Sequence, residues 1–211
     1  MHDLEQLKEA LIVGDWKTAA AATKAALAGG VAPLTIVTAH LMPAMDEVGR
    51  RFEREDYFVP EMLLSARAMK ASMEILRPLL ASSGAQPVGR VVIGTVKGDL
   101  HDIGKNLVAA MLEGGGFEVI DLGADVAPEL FIEAAAARNA DLVALSALLT
   151  VTMGWMKTTI DAFQAAGLRE KVKIMVGGAP VTQQYADAIG ADGFTDSAGS
   201  AVALARKLVV A

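Results

Sequence analysis

Apolar residues recur every three or four positions over the first 80 residues, which is the spacing of amphipathic helices. Glycines and short polar stretches divide this region into four helices. The third runs from about Pro33 to Arg54, and the fourth begins near Pro60. Pro43 lies inside the third helix, so a kink is expected there. Four such helices with short connections predict a small antiparallel bundle over residues 1–82.

The fourth helix carries an apolar stripe that is rich in methionine. The stripe consists of Met62, Ala66, Met69, Met73, Leu76 and Leu80. A methionine stripe at helical spacing usually packs in a core, and we expect this for Met69 and Met73. Phe58 and Met62 lie at the start of the helix, where an exposed edge is expected, so they are better candidates for covering a ligand.

The pattern changes after the bundle. The segment ASSGAQPVG, residues 81–89, is small, polar and turn-forming and predicts an interdomain linker, which we place at residues 83–89. Over residues 90–211, short apolar runs then alternate with helical segments. The expected strands are Arg90–Val96, Phe117–Leu122, Leu142–Ser146, Val172–Val176 and Gly193–Thr195. The expected helices cover about 103–114, 128–138, 151–166, 181–189 and 198–210.

This alternation is typical of an α/β domain with a parallel sheet and helices on both faces. Five strands favour the doubly wound, flavodoxin-like Rossmann order 2-1-3-4-5. In such a sheet the ligand binds outside the carboxyl ends of the strands. We therefore expect an N-terminal four-helix bundle followed by a five-stranded parallel sheet domain, with the site at that edge.

The composition excludes several classes of partner and of chemical site. The 211 residues are 53% hydrophobic, which allows a substantial core, and the net charge of −6 argues against a nucleic-acid partner. The absence of cysteine excludes disulfides, zinc–thiolate sites and thiol nucleophiles. The N-terminus lacks a signal-peptide layout, and no apolar run reaches the roughly 20 residues that span a bilayer. A cytoplasmic protein without a membrane partner is expected.

The stretch GTVKGDLHDIGKNLV follows the first strand and contains Asp99, His101 and Gly104 in a D-x-H-x-x-G pattern. A phosphate loop is disfavoured, because Asp99 stands where the first Walker glycine would be and Asn106 stands where the hydroxyl would be. A solvated loop histidine is a second interpretation. In a third interpretation, one ring nitrogen of His101 binds a metal, and Asp99 accepts a hydrogen bond from the other ring nitrogen.

A metal held by one histidine would be bound weakly, so the metal is expected to arrive inside a macrocycle. Two further segments favour this interpretation. LSALLTVT follows the third strand and offers Ser146, Thr150 and Thr152. MVGGAP follows the fourth strand and offers Gly177 and Gly178, which have no side chains to block a slot.

Four segments in this order resemble one known family: VGRRFEREDYFVPEMLLSARAM, GDLHDIGKNLV, SALLTVT and VGGAP. They are similar to the helical cap, the cobalt-ligand loop, the serine/threonine segment and the double-glycine loop of cobalamin-binding corrinoid proteins. These proteins belong to methyltransferase systems, and the cobalamin module of methionine synthase is related to them. The resemblance covers nearly the whole chain.

The resemblance implies a role for each matching residue. His101 would be the metal ligand and replace the dimethylbenzimidazole of the cofactor, which gives a base-off, histidine-on cobalamin. Asp99 would hold His101, and Thr152 would continue the relay, so these three form the expected catalytic group. The expected cofactor-binding residues are His101, Asp102, Gly104, Ser146, Leu148, Thr150, Gly177 and Gly178, with Phe58 and Met62 from the cap.

The resemblance also implies a function. The protein would be a methyl carrier that alternates between methylcobalamin and cob(I)alamin, a shuttle subunit rather than a complete enzyme. Its partners would be a substrate-specific methyltransferase, an acceptor methyltransferase and a reductive activating protein. A cobalamin-dependent sensor or regulator, and the cofactor subunit of an adenosylcobalamin mutase, are the alternatives. The methyl donor is left open, because it binds to the partner.

Overall fold

The computed structural model describes residues 2–82 and 86–210, and the chain divides into two compact units. One unit holds the described residues up to Pro87 together with Glu113–Gly116, and the other holds Val88–Leu112 and the residues from Phe117 onward. Residues 83–85 of the expected linker lie outside the described residues. The domain boundaries 1–82 and 90–211 stay predictions.

The first unit is helical. Asp15 caps the second helix, because its carboxylate accepts a hydrogen bond from the Thr18 amide at 3.1 Å. Pro33 begins the third helix, where a missing amide proton costs nothing. The α-helices of this unit are α1 (His2–Ile12), α2 (Trp16–Ala28), α3 (Pro33–Ile36), α4 (Met42–Glu53) and α5 (Val59–Ser82).

A π-helical turn, Val37–Leu41, joins α3 to α4. The Met42 amide donates to the Val37 carbonyl, five residues earlier, instead of the usual four. Pro43 follows immediately and has no amide proton to donate. The distortion that Pro43 predicts within this long helix therefore takes the form of a wide turn.

Helix α5 buries a different stripe from the one that the sequence predicts. Met69 and Leu76 are buried, as the predicted core stripe requires, and Met62 is buried as well. Ala66 and Leu80 are only partly buried, and so is Met73, for which the sequence predicts core packing. Among the described side chains of the helix, Ser65, Ala68 and Ser72 are also buried. The core face is thus rotated toward small polar side chains, and the Ser65 hydroxyl is satisfied by donating to the Ile12 carbonyl at 2.9 Å.

The second unit is a five-stranded parallel sheet in the order β2-β1-β3-β4-β5, which confirms the predicted topology. Its central strands are buried along nearly their whole length, as expected when helices cover both faces. The strands are β1 (Arg90–Thr95), β2 (Glu118–Asp121), β3 (Leu142–Ser146), β4 (Lys173–Gly177) and β5 (Gly193–Phe194). The helices are α6 (Ile103–Gly114), α7 (Pro128–Arg138), α8 (Gly154–Ala165), α9 (Gln183–Ile189) and α10 (Ala198–Val210).

The three central strands end side by side. Thr95 at the end of β1 is in register with Ser146 of β3, and Ser146 is in register with Gly177 of β4. The loops after these strands therefore begin at one level of one edge. Helix α8 begins at Gly154 rather than near residue 151, because residues 149–153 form turns at this edge. None of the described helices has the length and apolarity needed to cross a membrane.

Candidate functional site

Asp99 is the centre of the polar site at the carboxyl edge of the sheet. Its side chain is fully buried, and each carboxylate oxygen accepts several hydrogen bonds. Oδ2 accepts from the Thr152 hydroxyl at 2.7 Å and from the amides of Leu148 and Leu149 at 2.8 and 3.2 Å. Oδ1 accepts from the His101 amide at 3.1 Å and lies 2.7 Å from its ring Nδ1. The carboxylate thus ties together the loops that follow β1 and β3.

These donors keep Asp99 ionised. Burial alone would raise the pKa of Asp99, but hydrogen bonds from the Thr152 hydroxyl, the Leu148 amide and His101 lower this pKa well below its ordinary value. The Thr152 hydroxyl also lies 2.8 Å from the Leu149 carbonyl, and its single proton is shared between these two acceptors. An ionised carboxylate is the stronger acceptor, so Thr152 supports Asp99.

The contact with Asp99 determines which nitrogen of His101 is available. An ionised carboxylate can only accept, so Nδ1 is the donor in the 2.7 Å contact. In a neutral ring the lone pair then lies on Nε2. The His101 side chain is 50% exposed, whereas Asp99 is fully buried. The buried Asp99 carboxylate thus holds the imidazole ring so that its Nε2 atom has a fixed direction.

Thr95 is a further residue of the site that sequence reasoning missed. Its side chain is fully buried at the end of β1, and its hydroxyl donates to the His101 carbonyl at 3.0 Å. The main chain of His101 is therefore held at its amide by Asp99 and at its carbonyl by Thr95. A hydroxyl at the last residue of an apolar strand, just before the D-x-H-x-x-G loop, was the available signal.

The chain matches known protein families over most of its length. Residues 89–205 match a family of the B12 binding domain, and residues 3–77 match a second family with the same description. It is 44% identical over 208 residues to the dimethylamine corrinoid protein of Methanosarcina barkeri, covering 98% of this chain and 97% of that one. The chain belongs to the corrinoid proteins. The predicted family and the methyl-carrier function are thereby confirmed.

Another relative and two solved structures also link the chain to corrinoid and cobalamin-binding proteins. The corrinoid protein is 40% identical to trimethylamine corrinoid protein 1 of Methanosarcina acetivorans, covering 98% of this chain and 97% of that one. A chain of the methanol:cobalamin methyltransferase complex MtaBC from Methanosarcina barkeri superposes with a TM-score of 0.86 and 29% identity, covering 99% of this chain and 80% of that one. A cobalamin-binding protein from Desulfitobacterium hafniense DCB-2 superposes with a TM-score of 0.81 and 32% identity, covering 97% and 98%.

The residues around His101 fit a cobalt ion that is already held in a macrocycle. Among residues 2–82 and 86–210, no group of three or more histidine, cysteine, aspartate or glutamate side chains is placed to hold a metal ion. A side chain at Gly104 would meet no atom within 4 Å, so space is open above the first turn of α6. Exposed apolar side chains lie nearby in the chain, at the start of α6 and on the loops that follow β1 and β3: Ile103, Leu100 and Val151. One histidine, open space and an apolar rim suit a large, mostly apolar ring.

The other predicted cofactor-binding residues of the corrinoid protein lie on the same loops in different ways. Ser146 is half-buried at the end of β3, and Thr150 is exposed. The Leu148 side chain is also exposed, while its amide holds Asp99. Asp102 is half-buried just before α6 and accepts from the Asn106 side chain at 3.1 Å. The contacts of these residues with a cofactor stay predictions.

The double glycine has a reason that the sequence did not suggest. A Cβ atom on Gly178 would lie 1.9 Å from the Ala147 carbonyl oxygen, and φ at Gly178 is 130°. Gly177 is also tightly packed, since its Cβ would lie 3.1 Å from the Thr195 carbonyl oxygen. Gly178 is therefore required by the close approach of two loop backbones. The contacts of Gly177 and Gly178 with a cofactor stay predictions.

The two cap residues of the corrinoid protein differ in accessibility. Phe58, which directly precedes α5, is 63% exposed, whereas Met62 is fully buried. The burial of Met62 is that of a core residue and corrects the expectation of an exposed edge there. Of the two side chains, Phe58 is the accessible one, and its role in covering a ligand stays a prediction.

Proposed function

We propose that this corrinoid protein binds cobalamin in the base-off state, with Nε2 of His101 as the lower ligand of cobalt. The observation that carries the proposal is the 2.7 Å contact between His101 Nδ1 and a fully buried, ionised Asp99. This contact fixes the tautomer and the direction of the ring before any ligand arrives. A pre-oriented nitrogen loses little entropy on binding, which favours coordination.

The bound cobalt would supply the nucleophile that accepts a methyl group and later releases it. The residues of the chain tune that centre. His101 offers a lone pair at Nε2 when the ring is neutral, and it can hold a proton at Nε2 when it is not a ligand. Asp99 orients the ring by accepting from Nδ1, and Thr152 with the two main-chain amides holds the Asp99 carboxylate in place.

Electron paramagnetic resonance of the cobalt(II) form tests the proposal. The protein is produced with 15N in its histidine side chains and loaded with unlabelled cobalamin. The expected result is a change of the axial nitrogen splitting from a triplet to a doublet, because the ligand nitrogen is then 15N. An unchanged triplet would assign the axial nitrogen to the benzimidazole and contradict the proposal.

The Asp99→Asn variant should be less stable than the wild type in a pH-dependent way. The folded-state pKa of Asp99 is lowered, so its carboxylate stabilises the fold above about pH 4, and this contribution is lost as the pH falls below that value. Near neutral pH the variant should lose about 1.5–3 kcal/mol, the range for hydrogen bonds to a charged group. The difference from wild type should shrink toward pH 3.

Urea unfolding of the cofactor-free protein measures this difference. The Trp16→Phe background leaves Trp155, on α8, to report on the sheet unit. Asp161→Asn is the matched control, since Asp161 is exposed and pairs with Lys157 on a helix surface. The control should change the unfolding free energy little at any pH. A loss at Asp99 that is equal at pH 3 and pH 7 would mean that its charge does not stabilise the fold.

We further propose that the methyl donor is a methylated amine. Relatives named as dimethylamine and trimethylamine corrinoid proteins, at 40–44% identity over nearly the whole chain, support this class. The reduced, cobalamin-loaded protein should be methylated faster by a dimethylamine or trimethylamine methyltransferase than by a methanol methyltransferase. Faster methylation from methanol would contradict it. The acceptor methyltransferase, the activating reductase and the cytoplasmic location stay predictions.

A further inference from the structure

Asp125 adopts a backbone conformation that residues other than glycine rarely take. It lies between β2 and α7, and its φ of 56° is in the left-handed region. Asn139 has a similar φ of 49°, but it ends α7, where this conformation caps a helix. Asp125 ends no helix. A left-handed residue without a capping role is a reason to look for what its conformation achieves.

The conformation lets Asp125 hold the residues just before His101. Its Oδ1 accepts from the Gly98 amide at 2.7 Å, and its own amide donates to the Asp99 carbonyl at 2.9 Å. Side chain and main chain thus hold two consecutive residues of the loop. Strand pairing does not need these bonds, because Val126 already bridges to Val96 in parallel fashion.

The same segment also holds the residues after His101. Asp121, the last residue of β2, accepts from Lys105 Nζ with its two oxygens at 2.6 and 2.5 Å. Lys105 is 2% exposed and lies in the first turn of α6, next to Gly104. Asp121 is fixed in turn by the Gly123 amide at 2.8 Å. Residues 121–126 therefore contact the ligand loop on both sides of His101.

We propose that residues 121–126, called here the β2 clamp, position the His101 loop for ligation, and that Asp125 is its decisive positioning residue. This inference rests on the proposed role of His101 as the axial ligand. None of the D-x-H-x-x-G, serine/threonine or double-glycine segments includes the clamp. A chain that kept those segments but lost the β2 clamp would keep His101, but the imidazole ring of His101 would no longer have a fixed direction.

Two substitutions separate the carboxylate from the backbone conformation. Asp125→Gly permits the positive φ but removes the acceptor for the Gly98 amide. Asp125→Asn tolerates the same φ and keeps an acceptor oxygen. In the cofactor-free full-length protein, hydrogen exchange of the Gly98 amide, followed by NMR, should be roughly tenfold faster or more in the glycine variant. The asparagine variant should stay close to wild type.

The second measurement uses the cobalamin-loaded protein with 15N-histidine. In Asp125→Gly the fraction of cobalt(II) that shows the histidine splitting should fall, and Asp125→Asn should restore it. Asn139→Gly is the matched control, because it places glycine at another left-handed position of the same unit, at the end of α7. This variant should change neither the exchange rate nor the splitting. Wild-type exchange and wild-type splitting in Asp125→Gly would overturn the clamp. Absence of histidine splitting in the wild type would instead overturn the ligand assignment, while the exchange rates would still decide the clamp.

Discussion

His101→Ala is expected to abolish the histidine nitrogen splitting of the cobalt(II) form while leaving the protein folded. The side chain is half exposed on a loop, so its removal takes little apolar area out of the core. Asp99 loses the ring contact but keeps the Thr152 hydroxyl and its main-chain donors. The unfolding free energy should therefore fall by about 1 kcal/mol or less. Electron paramagnetic resonance and urea unfolding measure the two effects separately.

Two controls define the specificity of that result. His40→Ala removes a histidine from the π-helical turn of the first unit and should leave the splitting unchanged. Free imidazole added to His101→Ala should restore a nitrogen ligand, because the space left by the ring lies at an exposed position. If His101→Ala kept a 15N-histidine splitting, another histidine would be the ligand and the proposed site would be wrong.

Gly178→Ala is expected to damage both the fold and the site. The new Cβ would lie 1.9 Å from the Ala147 carbonyl oxygen, and φ at this position, 130°, is strained for any L residue. The combined cost should be on the order of 3 kcal/mol or more of unfolding free energy. Ala147 directly precedes Leu148, whose amide holds Asp99, so a shift of this loop should also weaken cobalamin binding. Urea unfolding and cofactor titration test the two expectations.

Gly104→Ala is the matched control for the same added methyl group. No atom lies within 4 Å of the Cβ that it would add, and the residue is in the first turn of α6. The cofactor-free variant should be at least as stable as wild type, because alanine is the better helix former. Its cobalamin affinity should nevertheless fall if the open space receives the cofactor. An unchanged stability in Gly178→Ala would show that the two loops relax at little cost.

Local patterns determine the elements of this protein to within a few residues. Strand β3 and helices α6, α7 and α10 have the bounds that apolar periodicity and turn residues predict. The sheet order follows from the strand count and the helical crossovers, because parallel strands joined by helices have few possible arrangements. The pairing of Asp99 with His101 is also local, since the two residues are two positions apart. The sequence by itself therefore determined the architecture and the pairing of Asp99 with His101.

The tertiary structure decided what holds that pair. The donors to Asp99 Oδ2 come from Leu148, Leu149 and Thr152, some fifty positions along the chain. Asp125 reaches the loop from the end of a different strand, and Gly178 is required by the backbone of another loop. Such contacts depend on how loops from separate strands pack together at one edge of the sheet. Local sequence propensities do not predict this packing. For the same reason, the burial of Met62, whose place at the start of the helix predicted an exposed edge, became visible only in the folded chain.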